Sequence, residues 1–453
     1  MDALTALRDR LGSDNVSTSP TVLHSHGRDE NFPEVRPPLA VAYATSVADV
    51  QTVLGWCRAY HIPVIPFGAG TSLEGALVPA DAQAPGISLD LSRLNAVVGI
   101  QPENFLAVVQ PGVTRTALNT ALRQTGLMFP VDPGADGSLG GMAATNASGT
   151  TTVRYGGMRA NTAALQVVLA NGEILRLGRP VPKTSSGYDL KDLFIGSAGT
   201  LGVITELTLR LHPLPEHIHT LRVFFPSLTA AAQAAYAVMA SALPVARLEL
   251  VDPMSIRSIN RYLGRNYPEA PGLFLEFHSS SAAALESEVA LVEALVREAG
   301  ATDIAVARTP EERTAQWEAR HHVYWALVNM HPGHVYVITD TAVPLAHLPA
   351  SIAFAQQLLR EMGLEGSILG HVGDGNFHTL IAVRPADYGR AHAFAEQLVH
   401  QALAVGGTAS GEHGIGLVKR EYMAEEHGPA LEWMRRIKAL FDPDGLLNPG
   451  KII

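Results

Sequence analysis

Two histidines bracket the stretch His371-Val372-Gly373-Asp374-Gly375-Asn376-Phe377-His378. Asp374-Gly375 is a favoured two-residue hairpin turn, and a turn there sets the two imidazoles opposite each other with Cβ atoms about 4.5–5.5 Å apart. Such a pair can share one divalent cation, or simply pack across the two strands. Glu412-His413, inside Ser410-Gly411-Glu412-His413-Gly414-Ile415-Gly416, adds a carboxylate and a further imidazole flanked by glycines that permit close approach. Two His and one Glu leave coordination positions open on a cation, as a catalytic site needs. Arg320, in Trp317-Glu318-Ala319-Arg320-His321, stands on a predicted helix. Its guanidinium suits bidentate pairing with a carboxylate, and an exposed helical arginine is the alternative.

A second kind of chemistry is written in glycine. Ile65-Pro66-Phe67-Gly68-Ala69-Gly70-Thr71-Ser72-Leu73-Glu74-Gly75 follows an apolar strand and offers unobstructed backbone N–H groups and two hydroxyls, which suits a pyrophosphate. It is not the dinucleotide fingerprint G-x-G-x-x-G, because position 73 is Leu, and by itself it could be an ordinary turn. Asp132-Pro133-Gly134-Ala135-Asp136-Gly137-Ser138-Leu139-Gly140-Gly141 continues through Thr145-Asn146-Ala147-Ser148-Gly149 to Tyr155-Gly156. So much Gly, Ala and Ser costs backbone entropy without filling a core, which suggests chain laid against a large flat ligand. A third run, Gly196-Ser197-Ala198-Gly199-Thr200-Leu201-Gly202-Val203-Ile204-Thr205-Glu206, has the same character.

The elements that must position these groups fall into two regimes. In the first half, Ala40–Tyr43 reads as a strand, Ser46 caps a helix through Val47, Val50, Leu54 and Cys57, and Ile87, Leu89 and Leu91 mark another strand. Asn171-Gly172 between apolar runs predicts a hairpin, and Leu207, Leu209 and Leu211 alternate before Pro213-Leu214-Pro215, a boundary signal. Beyond about residue 216, strands near Leu221–Phe225, Leu248–Val251, Leu273–Phe277, Val335–Ile338 and Ile368–His371 alternate with Ala-rich helices. This predicts an antiparallel sheet with one face covered by helices.

Bulk properties narrow the partners. The chain has 453 residues, enough for two domains, and at 47% hydrophobic and 17% charged it can bury large cores. A net charge of −10 with no Lys/Arg run excludes an electrostatic footprint for nucleic acid. Cys57 is the single cysteine, which removes intrachain disulfides, Cys-based zinc sites and thiolate-held iron–sulfur clusters. The N-terminus Met1-Asp2-Ala3-Leu4-Thr5 has no basic segment leading into an apolar run, and no stretch reaches about 18 consecutive apolar residues, so a cytoplasmic protein without a transmembrane segment is expected.

The three glycine-rich runs in this order, with Tyr188-Asp189-Leu190 and the C-terminal Asn448-Pro449-Gly450-Lys451, resemble the vanillyl-alcohol oxidase and p-cresol methylhydroxylase superfamily, specifically its FAD-dependent D-lactate dehydrogenase and glycolate oxidase branch. The resemblance implies an α+β, two-domain flavoprotein. Residues 1–215 would form a p-cresol-methylhydroxylase-type FAD domain with its core at about 36–213, and 216–453 an FAD-linked oxidase C-terminal substrate, or cap, domain whose last ~40 residues return to the flavin. It implies that Pro66, Phe67, Gly68, Ala69, Gly70, Thr71, Ser72 and Gly75, with Pro133, Gly134, Ser138, Leu139, Gly140, Gly141, Thr145, Asn146, Gly149 and Tyr155, hold the cofactor, the 65–75 and 133–149 loops cradling its pyrophosphate. Gly199 and Gly202 would also hold the cofactor, Val203 and Ile204 would line its adenine side, and Asn448 would reach the flavin. Ala198 departs from relatives that carry Glu, and no His in the first loop offers covalent attachment, so FAD is expected to be non-covalent.

The motifs G-H-x-G-D-G-N-x-H and E-H-G-I-G of the same branch imply that His371, His378 and Glu412 bind a divalent metal, zinc or manganese, and that His413 is the base. W-x-A-R-H resembles a segment that faces the site in that branch, which favours Arg320 as the carboxylate clamp. Relatives acting on a five-carbon dicarboxylate carry Lys two residues before the equivalent of Asp340, where this chain has Ile338. The implied reaction is oxidation of a D-2-hydroxy monocarboxylate, D-lactate or a longer aliphatic analogue, to the 2-oxo acid, with hydride passing from Cα to flavin N5 and the hydroxyl proton to His413. Alternatives are a glycolate oxidase catalytic subunit, a D-2-hydroxyglutarate dehydrogenase, a metal-dependent hydrolase, or a non-catalytic flavin electron-transfer subunit. An electron-transfer flavoprotein, a cytochrome or a quinone would reoxidise the flavin, and a homodimer is an expected state.

Overall fold

Where apolar and polar residues alternate, the chain forms strands, and the glycine-rich runs join them. The computed structural model describes residues 3–453. The chain divides into two units. The first comprises the described residues up to Ser148, then Gly156–Leu214 and Glu412–Ile453; the second comprises Gly149–Tyr155 and Pro215–Gly411.

In the first unit, Ile87–Asp90 lies between Ala40–Tyr43 and Val64–Phe67 in parallel pairing, with Val16–Ser17 on the outer edge. The helix Val47–Tyr60 joins two of these strands and starts at Ser46 with a complete capping box, whose partner is Asp49. Its Val50, Val53, Leu54 and Cys57 pack with Ala40, Val64 and Leu89. A five-stranded antiparallel sheet follows, ordered Val97–Gln101, Leu106–Val109, Val203–Arg210, Thr162–Val168, Ile174–Gly178. The predicted hairpin closes with Val168 opposite Ile174 and Gly172 at φ +85°, a conformation that favours glycine. The C-terminal segment joins this unit: Leu447 bridges to Val64, and Lys438 donates to the carbonyls of Thr200 and Leu447.

The second unit is built on an eight-stranded sheet in which every pairing is antiparallel. Its long path runs Asp303–Ala307, His217–Phe224, Gly272–Ser279, Val245–Val251, Gly366–Gly370, Asn376–Val383, Val335–Ile338. Leu221, Val223, Leu248, Leu250, Leu273, Leu275 and Phe277 occupy alternate positions and turn to one face. There they meet apolar stripes of the helices Leu228–Ala240, Ala282–Glu298, Leu348–Met362 and Tyr388–Ala404. The intervening residues, Thr220, Arg222, Arg247, Glu249, Glu276 and His278, must lie on the other face, and register sets Thr220 and Arg247 beside Glu276 in one row.

The turn at Asp374-Gly375 differs from the expected two-residue hairpin. Val372–Asp374 forms a 3-10 turn, and Leu369, not His371, is the partner of His378. The turn is drawn out because Thr341–Ala342 pairs with the start of the next strand and Val343 N–H donates to Gly375 O.

Phe277 is fully buried in the apolar face. Phe277→Ala should cost about 3–5 kcal/mol through lost burial and an unfilled cavity, measured as a lowered midpoint in urea for the transition that exposes Trp317 fluorescence.

Candidate active site

The polar face of the eight-stranded sheet is buried, and that is the informative fact, because buried charge is rare unless paired. The helix Pro310–His321 covers it through three successive polar contacts. Thr220 Oγ1 donates to Gln316 Oε1 at 2.8 Å, Trp317 Nε1 donates to Glu276 at 2.5 Å, and Arg320 donates to Glu249 through Nε at 3.0 Å. Arg320 Nη2 reaches the same Glu249 oxygen at 2.7 Å. Arg320 is 9% exposed, so the reading as a solvent-facing helical arginine is excluded.

Glu249 is 0% exposed, and its other oxygen lies 2.7 Å from His371 Nδ1. Burial pushes this carboxyl up, but His371 and Arg320 outweigh burial and hold it below the ordinary carboxylate value. An ionised carboxylate only accepts, so His371 Nδ1 donates to it, and Nε2 is the ring nitrogen that does not meet Glu249. His378 also donates from Nδ1, which lies 3.1 Å from Thr339 O, a carbonyl that can only accept. The two rings meet edge to face with centroids 5.5 Å apart. Nearby, Asp340 is fully buried and accepts from Asn376 Nδ2 and Ser410 Oγ, both at 2.8 Å. A β-carbon on Gly411 would overlap Asn376 Nδ2, so the chain passes here only as glycine.

Glu412 and His413 belong to the first unit. His413 Nε2 lies 3.6 Å from Glu412 Oε1, and His413 Nδ1 lies 3.4 Å from Oε1 of the fully buried Glu74, which Lys419 Nζ approaches to 2.9 Å. Glu74, Glu249, Asp340 and Lys419 were not among the residues singled out from sequence for chemistry. For Glu249 a signal existed: it is the one charged position within the apolar Leu248–Val251 strand.

The glycine-rich loops of the first unit fit a bulky polar ligand. Ser138 Oγ and Asn448 Oδ1 are buried with no hydrogen-bond partner, an arrangement proteins rarely leave unanswered. A β-carbon on Gly68 would overlap Ser138 Oγ, so Gly68 brings backbone and hydroxyl together. Asn448 Nδ2 ties the loops by donating to Ala198 O at 2.7 Å and Ala76 O at 3.1 Å. Lys451 donates to Val78 O at 2.6 Å, and burial pushes its pKa down to about 7.

Residues 38–178 match the FAD binding domain family, and residues 214–452 match the C-terminal domain of FAD linked oxidases. The chain belongs to the FAD-linked oxidases. This oxidase is 44% identical to a probable mitochondrial D-lactate dehydrogenase of Danio rerio, over 99% of this chain and 91% of that one. It is 39% identical to a mitochondrial D-lactate dehydrogenase [cytochrome] of Arabidopsis thaliana, over 97% and 78%, and 32% identical to glycolate oxidase subunit GlcD of Bacillus subtilis, over 92% and 89%. Its fold is that of p-cresol methylhydroxylase, with a TM-score of 0.79 at 19% identity over 99% of this chain and 96% of that one. The 4-ethylphenol oxidase of Gulosibacter chungangensis superposes with a TM-score of 0.81 at 19% identity, over 100% and 96%. FAD is therefore its cofactor and a redox reaction its chemistry, which sets aside the hydrolase alternative.

One expectation needs correction. The cytoplasmic location is overturned by relatives named as mitochondrial. Gly149 and Tyr155 fall within the second unit, where the Tyr155 hydroxyl is 2.7 Å from His278 Nδ1. Leu139, Val203 and Ile204 place their side chains in apolar cores.

Gly68→Ala should lower flavin retention at least about 10-fold, read from the ratio of visible to ultraviolet absorbance after gel filtration, because the added methyl group displaces the Ser138 hydroxyl. Adding Ser138→Gly should restore space but not the hydroxyl, giving partial recovery.

Proposed function

We propose that this FAD-linked oxidase converts a D-2-hydroxy monocarboxylate, D-lactate or a longer aliphatic homologue, to the 2-oxo acid, using non-covalent FAD and a divalent cation. The observation that carries the reading is the buried group on the sheet's polar face: a guanidinium beside two imidazoles whose Nδ1 atoms are both held, so that Nε2 is in each ring the atom that would meet a cation. The names of the relatives support the substrate class.

FAD, when bound, supplies the acceptor for the two electrons leaving the substrate Cα, and a divalent cation, zinc or manganese, supplies charge that eases ionisation of the hydroxyl. Arg320 receives the substrate carboxylate on its Nη1–Nη2 edge, since its Nε edge is turned to Glu249. His371, His378 and Glu412 hold the cation. His413 takes the hydroxyl proton at Nε2, with Nδ1 turned to Glu74. The 65–75 and 133–146 loops, with Gly199, Gly202 and Asn448, hold FAD. A one-electron carrier, as in the cytochrome of the Arabidopsis relative's name, reoxidises it.

Ile338 decides the chain length accepted. Val337 points into the apolar core, so Ile338 lies on the opposite face, paired with Leu380, itself two residues from His378 on the same side. A second substrate carboxylate there would face two aliphatic side chains. In anaerobic flavin bleaching, kcat/KM for D-lactate or D-2-hydroxybutyrate should exceed that for D-2-hydroxyglutarate by about 100-fold or more, since a buried carboxylate without a partner costs several kcal/mol. Equal or better use of the dicarboxylate, or preference for glycolate, would overturn this assignment.

His413→Ala should leave the purified protein yellow, because the glycine-rich loops are intact. Its flavin should bleach about 10²–10⁴-fold more slowly with D-lactate, the usual worth of a general base. Bleaching at the wild-type rate from pH 6 to 9 would remove His413 from that role.

A further inference from the structure

We propose that Glu249 is a single positioning residue for both halves of the substrate site, aiming the arginine that takes the substrate carboxylate and the imidazole that holds the cation. The proposal rests on the functional reading above, because it gives Arg320 and His371 those roles. What it adds is that one carboxylate governs both, so cation affinity and substrate affinity respond together to one side chain.

The geometry divides the carboxylate cleanly. Oε1 lies 2.7 Å from His371 Nδ1, and Oε2 lies 3.0 Å from Arg320 Nε and 2.7 Å from Arg320 Nη2. Contact along the Nε–Nη2 edge fixes the plane of the guanidinium and leaves its far edge as the one that can meet a second carboxylate. On the other side, a carboxylate on Nδ1 sets the tautomer of His371 and raises the basicity of Nε2, the relation through which outer partners tune a metal-ligating imidazole.

The backbone under Glu249 explains why it can serve as a reference point for both. Val245–Val251 pairs with strands on both sides, Gly272–Ser279 and Gly366–Gly370. Leu248 and Leu250 anchor it in the apolar core at 1% and 0% exposure, so Glu249 projects from a strand with little freedom to shift. Asp252, just beyond that strand, accepts from Ser367 Oγ at 2.6 Å and Ile368 N at 3.0 Å, which locks the strand that leads to His371. Arg320 instead comes from the covering helix Pro310–His321. Glu249 is thus where sheet, covering helix and histidine turn are brought into one register.

The test uses the full-length flavoprotein and its Glu249→Gln variant, with Zn²⁺ or Mn²⁺ affinity measured by chelator competition and D-lactate oxidation by anaerobic bleaching. Flavin content and visible spectrum should match the wild type. Cation affinity should fall about 10–100-fold, the usual effect of losing an outer partner, and kcat/KM for D-lactate should fall about 100-fold, carried largely by KM, as for a misplaced orienting group. In an Arg320→Met background, Glu249→Gln should no longer change KM while still weakening the cation, which a general loss of structure would not reproduce. If the glutamine variant does not fold, Glu249→Asp, which keeps the charge and shortens the reach, should show both losses in smaller measure. Wild-type values for either cation affinity or KM in a folded variant overturn the shared role. A wild-type protein that neither binds the cation nor bleaches with hydroxy acids overturns the functional reading itself and takes this proposal with it.

Discussion

Side chains along a strand alternate between faces, and in the second unit that rule leaves no choice about where charge can go. One face of the eight-stranded sheet is committed to four helices through Leu, Val and Phe, so each residue between them must point the other way. The helix Pro310–His321 covers that other face, which removes water as a partner for the groups beneath it. Burial then forces pairing: Glu249 with Arg320 and His371, and Glu276 with His278 and Trp317. The lowered pKa of Glu276 has the same origin as that of Glu249, burial raising it and a neighbouring arginine, here Arg247, with a hydrogen-bonded His278, outweighing that. Removing one partner of such a pair typically costs about 3–5 kcal/mol, because the other is left charged and dry.

The first unit solves a different problem. Its loops must approach a flat, polyanionic cofactor, so the useful atoms are backbone N–H groups and short hydroxyls, and large side chains would stand in the way. Among its buried atoms, Ser138 Oγ and Asn448 Oδ1 have no hydrogen-bond partner. The C-terminal segment holds these loops in place. Asn448 bridges two carbonyls from distant parts of the chain, and Lys438 draws on Thr200 and Leu447. Asp29 and Lys451 belong to this region as well, and burial moves both toward neutrality, Asp29 up to about 7 and Lys451 down to about 7.

Local patterns were legible where local physics decides them. The Ser46 cap, the Asn171-Gly172 hairpin and the strands around Leu221, Leu248 and Leu273 follow from capping, turn preference and alternation, and each formed where those rules place it. The turn at Asp374-Gly375 did not close as its dipeptide suggests, since a third strand competes for the hydrogen bonds of residues 375–377. Local preference lost there to a nonlocal pairing, yet the two histidine rings still meet.

The sequence by itself determined the cofactor class, through three glycine-rich runs in a fixed order, and the set of ligand-type residues, because backbone access and donor chemistry are properties of residue type. It also determined the strand pattern that makes one sheet face apolar. Only the tertiary structure decided that Arg320 is buried rather than solvent-exposed, that Tyr155 meets His278, and that Glu249 joins Arg320 to His371. These residues lie tens of positions apart in the chain, and a carboxylate between apolar neighbours looks the same in sequence whatever it faces. Its partners are chosen by strand register and helix docking, which the whole core sets at once.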